Sequence, residues 1–392
     1  MTRDQTLALN LLSLALLSVG AAMFVAIGTL PEFPRTMGIT RGQAGLIIAV
    51  YAFASAILAP LLQVVFGHFD RKRLVMTGMG ILSLGMFVTA LAPNFEIALA
   101  GRFIAATGGA IASPVASTLG ASLVSATQRG PALAIIFGGM TIASATVAPL
   151  ATWMGAHLGW RATFAAFGAA MLLFTLMIGW QVPPSGHGER LRARDLATVL
   201  ATGSSLTGLL VPVVALAGLF ATFSLITIYF FEHVGASANV TSLAMLLYGG
   251  AGVAGNLIAR RVLLRWRAER AMVTSMATIS VALLALFALP AEVVPVTLAM
   301  VVWSGALALF FPAQQQRMME LEPGRVGLVL ALNASAIYVG MSLGSAVGGF
   351  VDAHYGLSAL PLASAGLVLA SLAILALSRR VAPSEAMAAP AE

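Results

Sequence analysis

Apolar runs about as long as a bilayer is thick, separated by short polar loops, dominate this chain. Twelve can be read, at about 8–30, 43–66, 74–92, 97–122, 131–156, 162–181, 208–231, 240–263, 271–290, 296–316, 326–351 and 359–378. Each is near the roughly 20 residues that a helix needs to cross the hydrocarbon core. Only 9% of the residues are charged, against about a quarter in a soluble domain. The expected fold class is therefore an all-α integral membrane protein with twelve transmembrane helices. The first run, Leu7 to Leu30, is too long for a signal-peptide core and has no clear small-residue cleavage site, so it reads as a retained span. There is no Cys, which excludes disulfides and thiolate chemistry.

The net charge of +7 does not point to nucleic acid, because the basic residues fall almost wholly in short loops. With the N-terminus inside, Arg3, the Arg71 to Arg73 run, Arg129, Arg190, Arg192, Arg194, the arginines from Arg260 to Arg270, Arg317, Arg325, Arg379 and Arg380 are cytoplasmic. Arg35, Arg41 and Arg161 are outside, and Arg102 is within a span. This asymmetry follows the positive-inside rule and places both termini in the cytoplasm of a cell with the protein in its cytoplasmic (inner) membrane. The longest connection, from Gln181 to Gly208, carries Pro183, Pro184, Gly186 and Gly188. It divides the chain into an N-terminal six-helix bundle (1–181), a cytoplasmic linker (182–207) and a C-terminal bundle with a short tail (208–392). The linker reads either as a short surface helix from Gly188 to Leu200 or as a plain connection.

The two bundles repeat. Tyr51 and Tyr248 stand 197 residues apart, as do His157 and His354, and Gly159 and Gly356. The basic loops beginning near Gly67 and Leu264 keep the same offset. A duplicated six-helix unit is the expectation, and parallel repeats of this size belong to transporters whose substrate site lies near the midplane.

One charge lies well inside an apolar span. Arg102 opens GRFIAATGGAIASPVASTLG, and its helical face continues through Ala106, Gly109, Ser113 and Ser117. A buried Arg in a lipid-spanning helix is costly and usually faces a cavity or a partner. The face of small residues suits close helix contact or a passage. Two readings stand: a residue that the transported species passes, and a structural Arg hydrogen-bonded to a neighbouring helix.

Several motifs add to this. They are Leu30-Pro31-Glu32, the basic loop Asp70-Arg71-Lys72-Arg73, Arg102 with Gly108-Gly109 and Pro114, Arg129-Gly130, and Gly159-Trp160-Arg161-Ala162-Thr163-Phe164. In the second half stand Gly252, Gly255 and Asn256, then Ala331-Leu332-Asn333-Ala334-Ser335-Ala336 and Gly348-Gly349. In this order the chain resembles the major facilitator superfamily, and within it the drug:proton antiporter and sugar-efflux (arabinose-efflux-permease-like) branch. The resemblance covers nearly the whole chain. It implies alternating access, with Gly67, Asp70, Arg71, Lys72, Arg73, Pro149, Gly255 and Asn256 as gating or conformational positions. Two departures matter. With Arg71-Lys72 aligned to the family's basic pair, which keeps Gly78 at its usual distance, Gly67 stands where the loop's Asp belongs. The loop is then held by Arg contacts to helix C-terminal carbonyls, or is basic only because topology demands it. In span 5 the expected Gly-x-Pro-x-Gly reads Val147-Ala148-Pro149-Leu150-Ala151, which weakens the support for export over import.

A proton-driven carrier usually holds a carboxylate in the membrane, where desolvation raises its pKa. All 14 acids lie at span ends or in loops. Glu32 is the leading coupling candidate: if spans 1 and 4 meet at the outer end as the family fold implies, it could pair with Arg102 in the outward-facing state and release it on protonation. Glu232 is its counterpart at the end of span 7. The His residues form no i, i+4 pair and no cluster with acids, so no metal site is expected. No phosphate-binding Gly-x-x-x-x-Gly-Lys-[Ser/Thr] occurs, so ATP is not the fuel and no cofactor is implied. Phe24, Tyr51, Met140, Ser144, Phe223, Thr227, Trp303, Gln314, Asn333 and Tyr338 are candidate substrate contacts, since a few amides and hydroxyls among rings suit a neutral amphipathic solute. The small residues Ala336, Gly340, Gly344 and Gly348 read as a packing stripe. The leading expectation is a monomeric exporter in the bilayer that exchanges protons for a sugar or a lipophilic drug. An uncoupled facilitator or importer is the alternative. A membrane-embedded enzyme or receptor is the third class, without visible catalytic groups to carry it.

Overall fold

The computed structural model describes residues 1–381 apart from 126–127, 184–185, 187–199 and 201. The helix considered for Gly188 to Leu200 lies, but for its last residue, outside the described residues. Among these, eleven helical runs are long and apolar enough to cross a membrane. One of them, Arg129–Gln181, has 53 residues. As a straight rod it would extend roughly 80 Å, more than twice the thickness of a bilayer core. It is not straight: Gly159, at φ +80° and ψ 156°, breaks it into spans 5 and 6. The twelve spans read from the sequence are thus present.

The other spans are 1 (Arg3–Thr29), 2 (Arg41–Phe66), 3 (Arg71–Ala90), 4 (Phe95–Ser122), 7 (Gly203–His233), 8 (Ala238–Val262), 9 (Ala268–Ala288), 10 (Val293–Leu321), 11 (Val326–Tyr355) and 12 (Leu360–Val381). Starts in the first half follow local chemistry. Thr2 and Thr40 form capping boxes with Gln5 and Gln43, and Asp70 and Asn94 accept the N–H groups of Arg73 and Ile97. These side chains satisfy donors that a helix start leaves unpaired.

The chain divides into two compact units, Met1–Leu191 with Ser237–Leu246, and Arg192–Ala236 with Leu247–Glu392. In the first, span 1 packs on span 5, span 3 on span 4, and span 3 on span 6. In the second, span 7 packs on span 11, span 9 on span 10, and span 9 on span 12. The pairing is the same in each repeat. Small residues make it possible. A Cβ on Gly340 or Gly344 would stand 2.5 Å from the carbonyl of Val213 or Ala217 on span 7, and Gly348 meets Ala221 in the same way. Gly139 on span 5 abuts the Ser13 carbonyl of span 1. The stripe on span 11 is therefore a packing seam, as its spacing indicated.

The repeat extends to backbone detail. Gly356, 197 residues after Gly159, has φ +79° and ψ 172°. His157 Nδ1 lies 2.8 Å from the Trp153 carbonyl, and His354 Nδ1 lies 2.9 Å from that of Phe350. Both histidines close a helix just before the glycine that redirects the chain.

Candidate functional site

In the first unit, Arg102 is fully buried. Its Nε donates to the Ile47 carbonyl of span 2 at 3.0 Å. The guanidinium carbon lies 4.5 Å from the centroid of the Tyr51 ring and 5.7 Å from that of Phe164 on span 6. Nη1 and Nη2 have no hydrogen-bond partner among the described residues. The cation thus rests on two ring faces while two of its donor nitrogens stay unsatisfied. Tyr51 is fixed in turn: its hydroxyl donates to the Val19 carbonyl of span 1 at 3.1 Å. Gly109 leaves the space, since a Cβ there would stand 3.0 Å from the Tyr51 hydroxyl. Spans 1, 2, 4 and 6 all contribute to holding one guanidinium.

The pair expected between Glu32 and Arg102 is absent in this structure. Pro31 starts a short helix, Glu32–Met37, whose first turn directs Phe33 inward. Phe33 is fully buried and stacks on Trp160 at 4.4 Å. Glu32 faces the other way and pairs with Arg35 at 3.7 Å. The motif residues after span 1 and before span 6 therefore do come together, through Phe33, Trp160 and Phe164 and through Trp160 Nε1 donating to Thr36 Oγ1 at 2.8 Å. Phe24 and Met140 are half-buried, and Met140 Sδ covers Gly20 of span 1. Ser144 Oγ donates to the Thr141 carbonyl within its own helix. The buried Pro149 keeps its carbonyl available, and Ser242 Oγ donates to it at 2.8 Å. Gly67 ends span 2 in ordinary helical geometry, and Asp70 caps span 3 ahead of Arg71, Lys72 and Arg73.

In the second unit two candidate contacts gather around Tyr248, which was not among the candidates. Phe223 and Trp303 lie 5.8 Å apart, and Tyr248 stacks on Phe223 at 5.0 Å and meets Trp303 at 5.8 Å. Trp303 Nε1 is buried and without a hydrogen-bond partner among the described residues, as is Ser224 Oγ beside Phe223. Gln314 and Asn333, both buried, serve each other: Gln314 Nε2 donates to Asn333 Oδ1 at 3.0 Å and to the Gly208 carbonyl at 3.1 Å. They pin spans 7, 10 and 11 together. Thr227 is buried, Tyr338 and Asn256 are half-buried, and Glu232 is exposed in a π turn that closes span 7. Gly255 lets span 8 approach the Gly305 carbonyl of span 10.

The Major Facilitator Superfamily's sequence model matches residues 12–231 and 208–391, which between them take in nearly the whole chain. This protein belongs to the Major Facilitator Superfamily. Among curated relatives, the "Inner membrane transport protein YdhP" of Escherichia coli (strain K12) is 27% identical over 366 residues, covering 93% of each chain. The "Uncharacterized MFS-type transporter YbcL" of Bacillus subtilis (strain 168) is 23% identical over 373 residues, covering 95% of this chain and 96% of that one. Among solved structures, a bacterial homologue of the human lysosomal transporter Spinster superposes with a TM-score of 0.82 at 15% identity, covering 97% of this chain and 98% of the other. A D-xylose-proton symporter does so with a TM-score of 0.74 at 16% identity, covering 94% and 96%. The superfamily member described here is accordingly a multi-pass membrane transporter and not an enzyme.

Three features of this superfamily member were not read from its sequence. Asp352, one of the acids that stand at span ends in the sequence, is 6% exposed and is the one buried carboxylate among the described residues. Arg317, counted as a loop cation, is 2% exposed: its Nε lies 3.4 Å from Glu269 Oε1 and its Nη2 donates to Ser378 Oγ at 2.9 Å. Span 7 is interrupted at Ser224 and Leu225, with no Gly or Pro to announce it. In transporters a discontinuous span is a pointer to the binding site, and Phe223 and Thr227 flank this one.

Proposed function

We propose that the chain is a secondary active transporter that exports a small organic solute in exchange for protons. The observation that carries the proton-coupling part is the burial of Asp352 in the last turns of span 11. An ionisable residue buried within a span is costly to keep there and marks a candidate ion pathway, so Asp352 is the acid placed to carry a proton as access alternates. Glu32 and Glu232, the acids first considered, are solvent-accessible and are the weaker candidates. The fold neighbour named as a D-xylose-proton symporter is an instance of proton coupling on this architecture. Residence in an inner membrane, with both termini in the cytoplasm, agrees with the printed name of the Escherichia coli relative and with the charge asymmetry.

For the solute, the rings of Phe223, Tyr248 and Trp303 offer apolar contact, and the unpartnered Trp303 Nε1 and Ser224 Oγ offer orientation. This favours an uncharged amphipathic compound, a sugar or a lipophilic drug. Arg102, in the first unit, is separately proposed as a cation that transport requires. A second reading, an uncoupled facilitator, is favoured by the absence of a carboxylate from the middle of any span.

Purified protein in liposomes with an imposed pH gradient separates the two. Pentoses, other neutral sugars and lipophilic drugs are added while internal pH and solute are followed together. A compound that moves and collapses the gradient, with Asp352→Asn retaining solute exchange but losing proton flux, supports the proposal. Solute movement without proton flux in the wild type establishes the facilitator.

A further inference from the structure

The turn between spans 8 and 9 concentrates charge beyond what a loop needs. Arg260, Arg261, Arg265, Arg267 and Arg270 fall within eleven residues, a quarter of the chain's 20 arginines, with Glu269 as the one acid among them. That acid is already engaged: its Oε2 lies 2.8 Å from Arg379 Nε at the end of span 12, and its Oε1 meets Arg317. Arg260, Arg261, Arg265 and Arg270 are exposed and form no ion pair among the described residues. The turn is well defined, since the N–H groups of Arg265 and Trp266 both donate to the Val262 carbonyl, at 3.0 and 2.9 Å. Two apolar side chains stand within it. Leu264 is 84% exposed, and Trp266 lies under the guanidinium of Arg270 at 4.4 Å.

We propose that this turn is a binding site for the phosphate headgroup of an anionic glycerophospholipid, with Arg265 and Arg270 on the phosphate and Leu264 and Trp266 in the adjoining interface. Positive-inside topology requires cations here, but not an exposed leucine and a ring-anchored arginine on a fixed turn. Guanidinium groups match phosphate oxygens two at a time. Tryptophan sits at headgroup depth, where one edge is wet and the other apolar. Juxtamembrane arginines gain from anionic lipid within a Debye length. The loop of the other repeat is a lesser version: it has Arg71, Lys72 and Arg73, and Asp70 is engaged in capping.

The test needs no knowledge of the transported solute. Full-length protein is reconstituted in phosphatidylcholine vesicles containing a minor fraction of phosphatidylglycerol, and one lipid or the other carries brominated chains. The Trp266 signal is taken as the difference between wild type and Trp266→Phe. Brominated phosphatidylglycerol should quench it several-fold more than brominated phosphatidylcholine at equal mole fraction. In Arg265→Gln/Arg270→Gln the preference should fall by roughly tenfold, and high salt should weaken it. Equal quenching by both lipids, or a preference that survives the double variant, overturns the proposal. So does loss of the preference on adding millimolar inorganic phosphate, which would mark a free-anion site. As a second readout, mass spectrometry of lipid retained through purification should show phosphatidylglycerol enriched on wild type and not on the double variant. Bulk lipid ratios on both would refute the site.

Discussion

Two arginines are buried among the described residues, and they are held in opposite ways. Arg317 is a member of an ionic cluster. Glu269, Ser378 and, through Glu269, Arg379 tie the ends of spans 9, 10 and 12. Arg102 forms no ion pair among the described residues. One backbone carbonyl and two aromatic faces receive it, and two of its nitrogens are unsatisfied. Removing one partner of a buried ion pair is destabilising because it strands the other charge, whereas a buried charge without a counter-ion already carries its desolvation cost uncompensated, so an apolar replacement of it relieves that cost. The arrangement of Arg317 is therefore what stability asks for. That of Arg102 leaves two donor nitrogens without a partner among the described residues, which fits the role in transport proposed for it.

This comparison can be broken by exchange. Arg102→Met should lower transport by roughly a hundredfold, about 2.7 kcal/mol of lost transition-state stabilisation, while the thermal midpoint holds or rises. Flux assays on liposomes and a melt of the same preparation read both, and normal transport would return Arg102 to a packing role. Arg317→Met should show the reverse, a stability loss of roughly 2 kcal/mol with transport per folded molecule largely kept. The figure is below that for a fully buried pair because Glu269 is partly exposed and keeps Arg379. Tyr51 tests what supports Arg102. Tyr51→Phe keeps the ring beneath the guanidinium and loses the bond to Val19, at about 1 kcal/mol or less, with transport retained; Tyr51→Leu, which also removes the ring, should follow Arg102→Met in losing transport. The smallest effect belongs to Glu32→Gln. Its pair with the exposed Arg35 is worth about 0.5 kcal/mol or less, and transport should be unchanged. A large loss of proton coupling there would revive the Glu32–Arg102 pair as a feature of another conformational state.

Where reading the sequence succeeded and failed follows from the range of the interactions involved. The break at Gly159 and its copy at Gly356 were visible because a positive φ is a local property and glycine adopts it readily. The packing stripe on span 11 was visible because its period is that of a helix face. Where Glu32 points in this structure has a short-range reason: Pro31 begins a new helix, and the side that turns inward belongs to Phe33. Burial of Arg317 and Asp352 had no local signal at all. Both stand near span ends, where the same letters would normally face water, and only the neighbours brought by spans 9 and 12, and by the second unit's packing, remove them from it.

The sequence by itself determined that the chain spans a membrane twelve times in two copies of one six-helix unit. In hydrocarbon the backbone must satisfy its own hydrogen bonds, so the apolar run length fixes both helix and span. It also marked Arg102 as the charge that needs explaining. The tertiary structure decided which ions are paired. Coulomb and desolvation energies depend on separations of a few ångströms between residues far apart in the chain, as with Glu269 and Arg317, 48 positions apart and 3.4 Å from contact atom to contact atom.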